Sequence, residues 1–253
     1  MSEGYDYAQE TKASPEKVAQ REVLYKLFRE RPMPDDQLLV SLGMYMRSSA
    51  LTKILFINEL YQLITDIPGV IMEFGTWWGQ NLILFENLRA IYETFNPSRR
   101  IIGFDTFSGY PKLSEKDRAS ETFKVGGYKV SKDYRHYLEE LMAYHEQENV
   151  LSNIKKHMII EGDVTETVPR FFADHPETIV ALAYFDLALY EPTCSCFEAI
   201  KPHLIKGSVI MVDEFNSMNS PGETVAFKKV FSLGKFIFKR SRYMADRTFA
   251  ILD

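Results

Sequence analysis

The sequence predicts an α/β protein: a seven-stranded, mostly parallel, doubly wound sheet with a C-terminal antiparallel hairpin and an N-terminal helical cap. Three observations carry this. From Gly69 onward, short continuously apolar runs alternate with longer stretches of helical periodicity. That is the pattern of parallel strands covered on both faces by crossover helices. The last two apolar runs are separated only by a turn, so they read as an antiparallel pair. The residues before Gly69 show helical spacing alone.

The elements follow in order. Residues 1–15 read as a disordered start. Pro15 to Glu30 carries Val18, Val23, Leu24, Leu27 and Phe28 at helical spacing. Leu38, Leu39, Leu42 and Met46 predict a second, short helix. Ala50–Ile67 carries Leu51, Ile54, Leu55, Leu60, Tyr61 and Leu63, and Pro68-Gly69 stops it. Residues 1–67 are therefore expected to form a cap or lid, and residues 68–253 the sheet domain. Five strands are expected at Val70–Phe74, Arg100–Phe104, His157–Glu161, Ile179–Phe185 and Ser208–Val212. Helices are expected near Gln80–Thr94, Asp133–Glu148, Glu166–His175 and Thr193–Leu204. Lys235–Lys239 and Thr248–Leu252 form the hairpin, with a turn near Ser241–Asp246. A doubly wound sheet ending this way is the shape of class I methyltransferases, with plain nucleotide-binding Rossmann domains as the rival.

Composition narrows the function. Hydrophobic residues make up 45% and charged residues 26% of the 253, which excludes collagen-like, coiled-coil and wholly disordered chains. The net charge of -5 offers nucleic acid or an anionic membrane no general attraction. Cys194 and Cys196 are too few and too close for a disulfide framework, and read as core residues of a reduced, cytoplasmic protein. The polar first residues are not a signal peptide, and no apolar stretch is long enough to span a bilayer.

In such sheets ligands sit at the carboxyl ends of the strands. The first strand ends in Glu73-Phe74-Gly75-Thr76-Trp77-Trp78-Gly79, an E-x-G-x-x-x-G and not the G-x-G-x-x-G of pyrophosphate binders. Its glycines allow a tight turn close to a ligand. The second strand leads into Asp105-Thr106, where an acid can accept from ribose hydroxyls. The third leads into Asp163, where an acid can accept from an adenine amino group. Acids at three successive strand ends, without a basic phosphate clamp, suit S-adenosylmethionine better than NAD. Taken singly, Asp105 could cap a turn and the two tryptophans could be core aromatics.

Asp186 follows the fourth strand, and Asp213-Glu214 the fifth. These strands are expected to be neighbours, about 4.8 Å apart. Three converging carboxylates would repel one another without a cation. All-oxygen ligands favour a hard ion such as Mg²⁺ or another divalent cation. The alternative is that Asp186 contacts only the cofactor and Glu214 caps a loop.

These motifs also carry a family likeness. "GVIMEFGTWWGQN", "GFDTFSGYP", "EGDVTETVP", "AYFDLALYEPT", "AIKPHLIKGSVIMVDEF" and "PGETVAFKKVF" together resemble the macrocin O-methyltransferase family of sugar O-methyltransferases, from about Met44 to the C-terminus. The resemblance implies S-adenosylmethionine, a divalent metal, and methylation of a deoxysugar hydroxyl of a natural product such as an antibiotic. The expected cofactor contacts are Glu73, Gly75, Thr76, Gly79, Asp105, Thr106, Asp163 and Asp186, and the expected metal ligands Asp186, Asp213 and Glu214.

One departure stands out. The family pattern has a second acid two residues past the first, acting as base, and Ala188 is there instead. His136 and His145 are the available substitutes. Tyr110, Tyr128, Tyr134 and Tyr137 could form a platform for a sugar-bearing acceptor. A catechol-like diol, or a cofactor-binding relative with little catalysis, are the alternatives. The cap, with Met44, Tyr45, Met46 and Arg47, is expected to cover the site and help assemble a homo-oligomer.

Overall fold

A computed structural model describes residues 13–117 and 124–253. Most of the expected disordered start therefore lies outside the described residues. The N-terminal part consists of α1 (Pro15–Arg29), α2 (Asp35–Val40), a 3₁₀ turn at Leu42–Tyr45 and α3 (Ser48–Leu63). Alternation follows: β1 (Val70–Phe74), α4 (Gln80–Tyr92), β2 (Ile101–Asp105), α5 (Tyr134–Gln147), β3 (His157–Glu161), α6 (Val164–Asp174), β4 (Val180–Phe185), α7 (Tyr190–Ile200) and β5 (Leu204–Val212). The chain ends with α8 (Gly222–Val230), β6 (Phe236–Arg240) and β7 (Thr248–Leu252).

The sheet order is β3-β2-β1-β4-β5-β7-β6. β1 to β5 pair in parallel, whereas β7 runs antiparallel between β5 and β6. This is the predicted seven-stranded class I methyltransferase sheet. The chain direction switches between β1 and β4, which neighbour each other, so the crevice for a ligand opens above them.

Two differences from the sequence reading are informative. β5 begins at Leu204, because a 3₁₀ turn over Lys201–His203 ends α7 early; Pro202 in that turn has no N–H to continue a helix. α8 was not expected at all, and it reaches the functional cleft.

Each strand sends alternate side chains to opposite faces. On one face Phe74 stacks between Phe104 and Phe185, with ring centroids 5.3 and 4.4 Å away. Phe197 of α7 and Phe227 of α8 continue this layer. On the other face Ile71, Leu182 and Met211 pack with Phe56, Ile57, Leu60 and Tyr61 of α3 and with Leu82 and Phe85 of α4. Each such aromatic or aliphatic side chain contributes about 1.5–3 kcal/mol by burial. Within the expected cap, then, α3 shares the core of the sheet, while α1 buries no residue.

Arg99 fixes the lower end of α3. Its guanidinium donates to the carbonyls of Gly69, Ile64 and Ile67 and contacts Glu93 at 2.7 Å. The helix end and the start of β1 are thereby tied to one buried cation whose charge is paired.

Candidate active site

The backbone ladder continues one bond past each strand. Gly75 N–H donates to Phe104 O, Asp186 N–H to Phe74 O, and Asp213 N–H to Phe185 O, each at 2.9 Å. Glu73, Asp105, Asp186 and Asp213 are therefore set at the same carboxyl edge. Gly75 has φ +89°, and a Cβ there would lie 2.2 Å from Asp186 O. Only glycine allows the β1 loop to approach the β4 loop this closely.

Glu73 points to the face shared by α3 and α4. Asn81 Nδ2 donates to its Oε1 at 2.6 Å, and its Oε2 is buried with no hydrogen-bond partner. Burial pushes its pKa up to about 8; the Asn81 bond and the Lys53 charge oppose this, and Asp186 and Asp105 add to it. Lys53, from α3, donates to the hydroxyl of buried Tyr184, the cross-strand neighbour of Glu73. The cap helix thus delivers a cation into the acidic edge.

Asp105 accepts from Trp77 N–H at 2.7 Å and Phe107 N–H at 2.6 Å. Burial raises its pKa and these backbone donors counteract the rise. Trp77 and Phe107 both sit at positive φ, so the two loops are wound around this carboxylate. Thr106 Oγ1 donates to Gly109 O, and Asp163 caps α6 by accepting from Thr165 N–H. Thr76 is buried, and Gly79 starts α4 at φ +75° against Leu138.

The β4–β5 side is different. Asp186 opens to water at the cleft, although protein crowds it elsewhere. That crowding, then the charge of Asp213, raises its pKa to about 7, while Lys53 and Arg247 pull it down. Glu214 is raised by burial and again by Asp213. Arg247 Nε, from the end of the turn before β7, lies 2.7 Å from Asp213 Oδ1. Neither atom completes a directed hydrogen bond, so this is a charge contact. The three acids sense one another, yet among the described residues no set of three converges as a cage for an ion.

Glu223 in the first turn of α8 is fully buried. Its Oε1 accepts from Leu187 N–H and Ala188 N–H, both at 2.9 Å, and its Oε2 from Glu214 N–H at 3.0 Å. Burial nevertheless raises its pKa to about 8. Ala188 is buried at φ +60°. Its positive φ means that the chain is not extended where it follows Asp186.

The histidines are placed elsewhere. His136 is exposed on α5 and pairs with Glu140 at 3.4 Å. His145 stands edge-on to Tyr144, with its pKa lowered by burial. The aromatic residues, in contrast, form one run: Tyr110 to Tyr128 to Trp77 to Trp78 to Tyr134 to Tyr137, with ring centroids 4.7 to 5.9 Å apart. Tyr110 is half-buried, and desolvation, then the Asp186 charge, raises its pKa. Cys194 and Cys196 are both buried free thiols. Met44 is exposed at the 3₁₀ turn, and Tyr45 packs edge-on against Phe28 of α1. Lys53, Tyr184, Glu223 and Arg247 are the site residues that the sequence reading did not find.

The sheet order and the glycine cradle at β1 are those of the class I methyltransferase fold. Residues 41–235 match the family model for macrocin-O-methyltransferase (TylF), and the chain belongs to that family. It is similar to the crystal structure of CalS11, a calicheamicin methyltransferase, with 38% identity, 99% of this chain and 98% of that chain covered, and a TM-score of 0.92. An apo structure of CalS11, described as a TDP-rhamnose 3'-O-methyltransferase, matches at 38% identity over 95% and 96% of the two chains with a TM-score of 0.82. A curated Streptomyces olivaceus enzyme, 8-demethyl-8-(2,3-dimethoxy-alpha-L-rhamnosyl)-tetracenomycin-C 4'-O-methyltransferase, is 25% identical over 158 residues. That alignment spans 60% of this chain and 55% of the relative. No helix among the described residues is long and apolar enough to cross a membrane.

Proposed function

We propose that the chain methylates a hydroxyl of a rhamnose-type deoxysugar destined for, or already attached to, a natural product. The observation that carries this is the 38% identity to CalS11 along almost the whole of both chains. Both named relatives act on rhamnose or a rhamnosyl group.

Bound S-adenosylmethionine supplies a methyl group on a positively charged sulfur. Gly75 gives the backbone room at its edge, and Glu73, Asp105 and Asp186 make that edge acidic, which favours a cationic ligand. The acceptor would lie over the β4 and β5 ends, bounded by Tyr110, Tyr128 and Trp77. Aromatic faces of this kind offer apolar area to a sugar ring while Asp186 accepts from its hydroxyls.

The reading includes a divalent cation that would have to draw Asp186, Asp213 and Glu214 together, because these acids do not converge as a cage as they stand. Asp213 Oδ1 is buried without a directed hydrogen bond, and the donor set is all oxygen, the preference of Mg²⁺. Arg247 is the counter-charge such an ion would displace from Asp213. The chemistry a bound ion supplies is polarisation of the acceptor hydroxyl.

The test is incubation with S-adenosylmethionine and TDP-rhamnose, or with a rhamnosylated aglycone, followed by mass spectrometry. Methylated sugar together with S-adenosylhomocysteine is expected. Turnover should stop with EDTA and return with Mg²⁺. Methylation of a catechol but of neither rhamnose compound would reject the sugar reading, and full activity in EDTA would reject the ion.

A further inference from the structure

We propose that Glu223 is a positioning residue for methyl transfer, a buried clamp that fixes the loop after β4 against the loop after β5. This rests on the reading of the β4–β5 cleft as the acceptor side of the enzyme. Asp186 belongs to the first loop and Asp213-Glu214 to the second. Their spacing depends on what joins the two loops above the sheet.

Glu223 joins them through three backbone hydrogen bonds, two to Leu187 and Ala188 and one to Glu214. Its neighbour Thr224 adds two more on the β5 side. Asn216 N–H donates to Thr224 Oγ1 at 2.6 Å, and that hydroxyl donates to Glu214 O at 3.3 Å. α8 enters at close range to do this. A Cβ on Gly222 would lie 2.8 Å from Tyr190 N and 2.9 Å from both Ala188 O and Asp117 Oδ1.

The chemistry demands a carboxylate at 223. Two acceptor oxygens must face two different loops. A glutamine presents one oxygen and one NH₂, so either Glu214 N–H or the Leu187–Ala188 pair would meet a donor. An alanine would leave three N–H groups without this partner. An aspartate is one methylene shorter and cannot span both loops from the same backbone. With both oxygens engaged and no exposed surface, Glu223 does not touch substrate. It acts through Asp186, Asp213 and Glu214. A displacement near 1 Å in a reacting geometry can cost about 100-fold in rate.

The experiment compares the full-length protein with Glu223→Gln and Thr224→Val. S-adenosylmethionine affinity is measured by calorimetry, turnover with TDP-rhamnose, and amide hydrogen exchange at Leu187, Ala188 and Glu214. For Glu223→Gln, cofactor affinity should stay within about twofold while kcat falls 10- to 100-fold. Exchange should accelerate at one or both loops. Thr224→Val should give a smaller fall in kcat, with faster exchange on the β5 side alone; it carries the test if Glu223→Gln does not fold. Unchanged kcat and exchange in both variants would overturn the clamp, as would equal losses of cofactor affinity and kcat. If the parent does not methylate TDP-rhamnose, the sugar reading is what fails. The exchange measurement, which needs no acceptor, then decides the clamp by itself.

Discussion

The two halves of the carboxyl edge use acids in opposite ways. At β2 and β3 the carboxylates of Asp105 and Asp163 are enclosed by backbone donors, Trp77 N–H and Phe107 N–H for the first and Thr165 N–H for the second. At β4 and β5, Asp186 and Asp213 face each other's charge and are balanced by side chains from distant elements, Lys53 and Arg247. An acid of the first kind shapes a loop and supports the fold. An acid of the second kind is held at a cost in stability, the usual state of a group kept available for a ligand.

The contrast predicts different outcomes for substitutions of the same type. The largest effect is expected where the halves touch. Gly75→Ala would drive a Cβ into Asp186 O, and thermal unfolding should show a loss of about 3 kcal/mol, with cofactor binding abolished. Next, Asp105→Ala removes the acceptor for two N–H groups, so denaturant unfolding should show about 2–3 kcal/mol lost alongside weaker cofactor binding. An unchanged unfolding midpoint would place Asp105 in the second class of acids.

Ala188→Asp should cost about 2 kcal/mol, because it adds a charge beside buried Glu223. Steady-state assays should show no gain in kcat; a gain would mean that residue 188 does face the acceptor.

The smallest effect has the opposite sign. Asp186→Asn should leave stability equal or higher while turnover is lost. The sign follows from proton linkage. Asp186, Glu73 and Glu223 have folded-state pKa values raised to about 7, 8 and 8. Between their unfolded values and these, the folded state binds more protons than the unfolded state, so stability falls as pH rises through that window. Melting scans from pH 5 to pH 8 should show a falling Tm for the parent and a shallower fall for Asp186→Asn.

Much of the edge was legible in the sequence because its acids directly end or follow apolar strands. The runs Val70–Phe74, His157–Glu161 and Thr248–Leu252 match the observed strands; the first is buried at every position, the condition that leaves a continuous apolar run. The balancing side chains left no such trace. Lys53 lies inside the apolar pattern of α3, where a cation reads as the solvated face. Arg247 comes from a polar turn, and its partner is 34 residues earlier. Glu223 had a signal: Pro221 before the helix start, an acid in its first turn, and Val225, Ala226, Phe227 and Val230 at helical spacing. Residues 186 and 188 would share one side of the chain only if it were extended, which the positive φ of Ala188 denies.

The aromatic run has an optical consequence. The chain has two tryptophans, and both lie in the loop between β1 and α4. Indole emission therefore reports on this one loop, with no background from the acidic half or the N-terminal helices. Tyr128 and Tyr134 stand within 5.9 and 4.7 Å of Trp77 and Trp78, close enough to pass excitation to them. The native protein thus carries its own fluorophore where the cofactor is expected to dock. A titration with S-adenosylmethionine can be followed in the unlabelled enzyme.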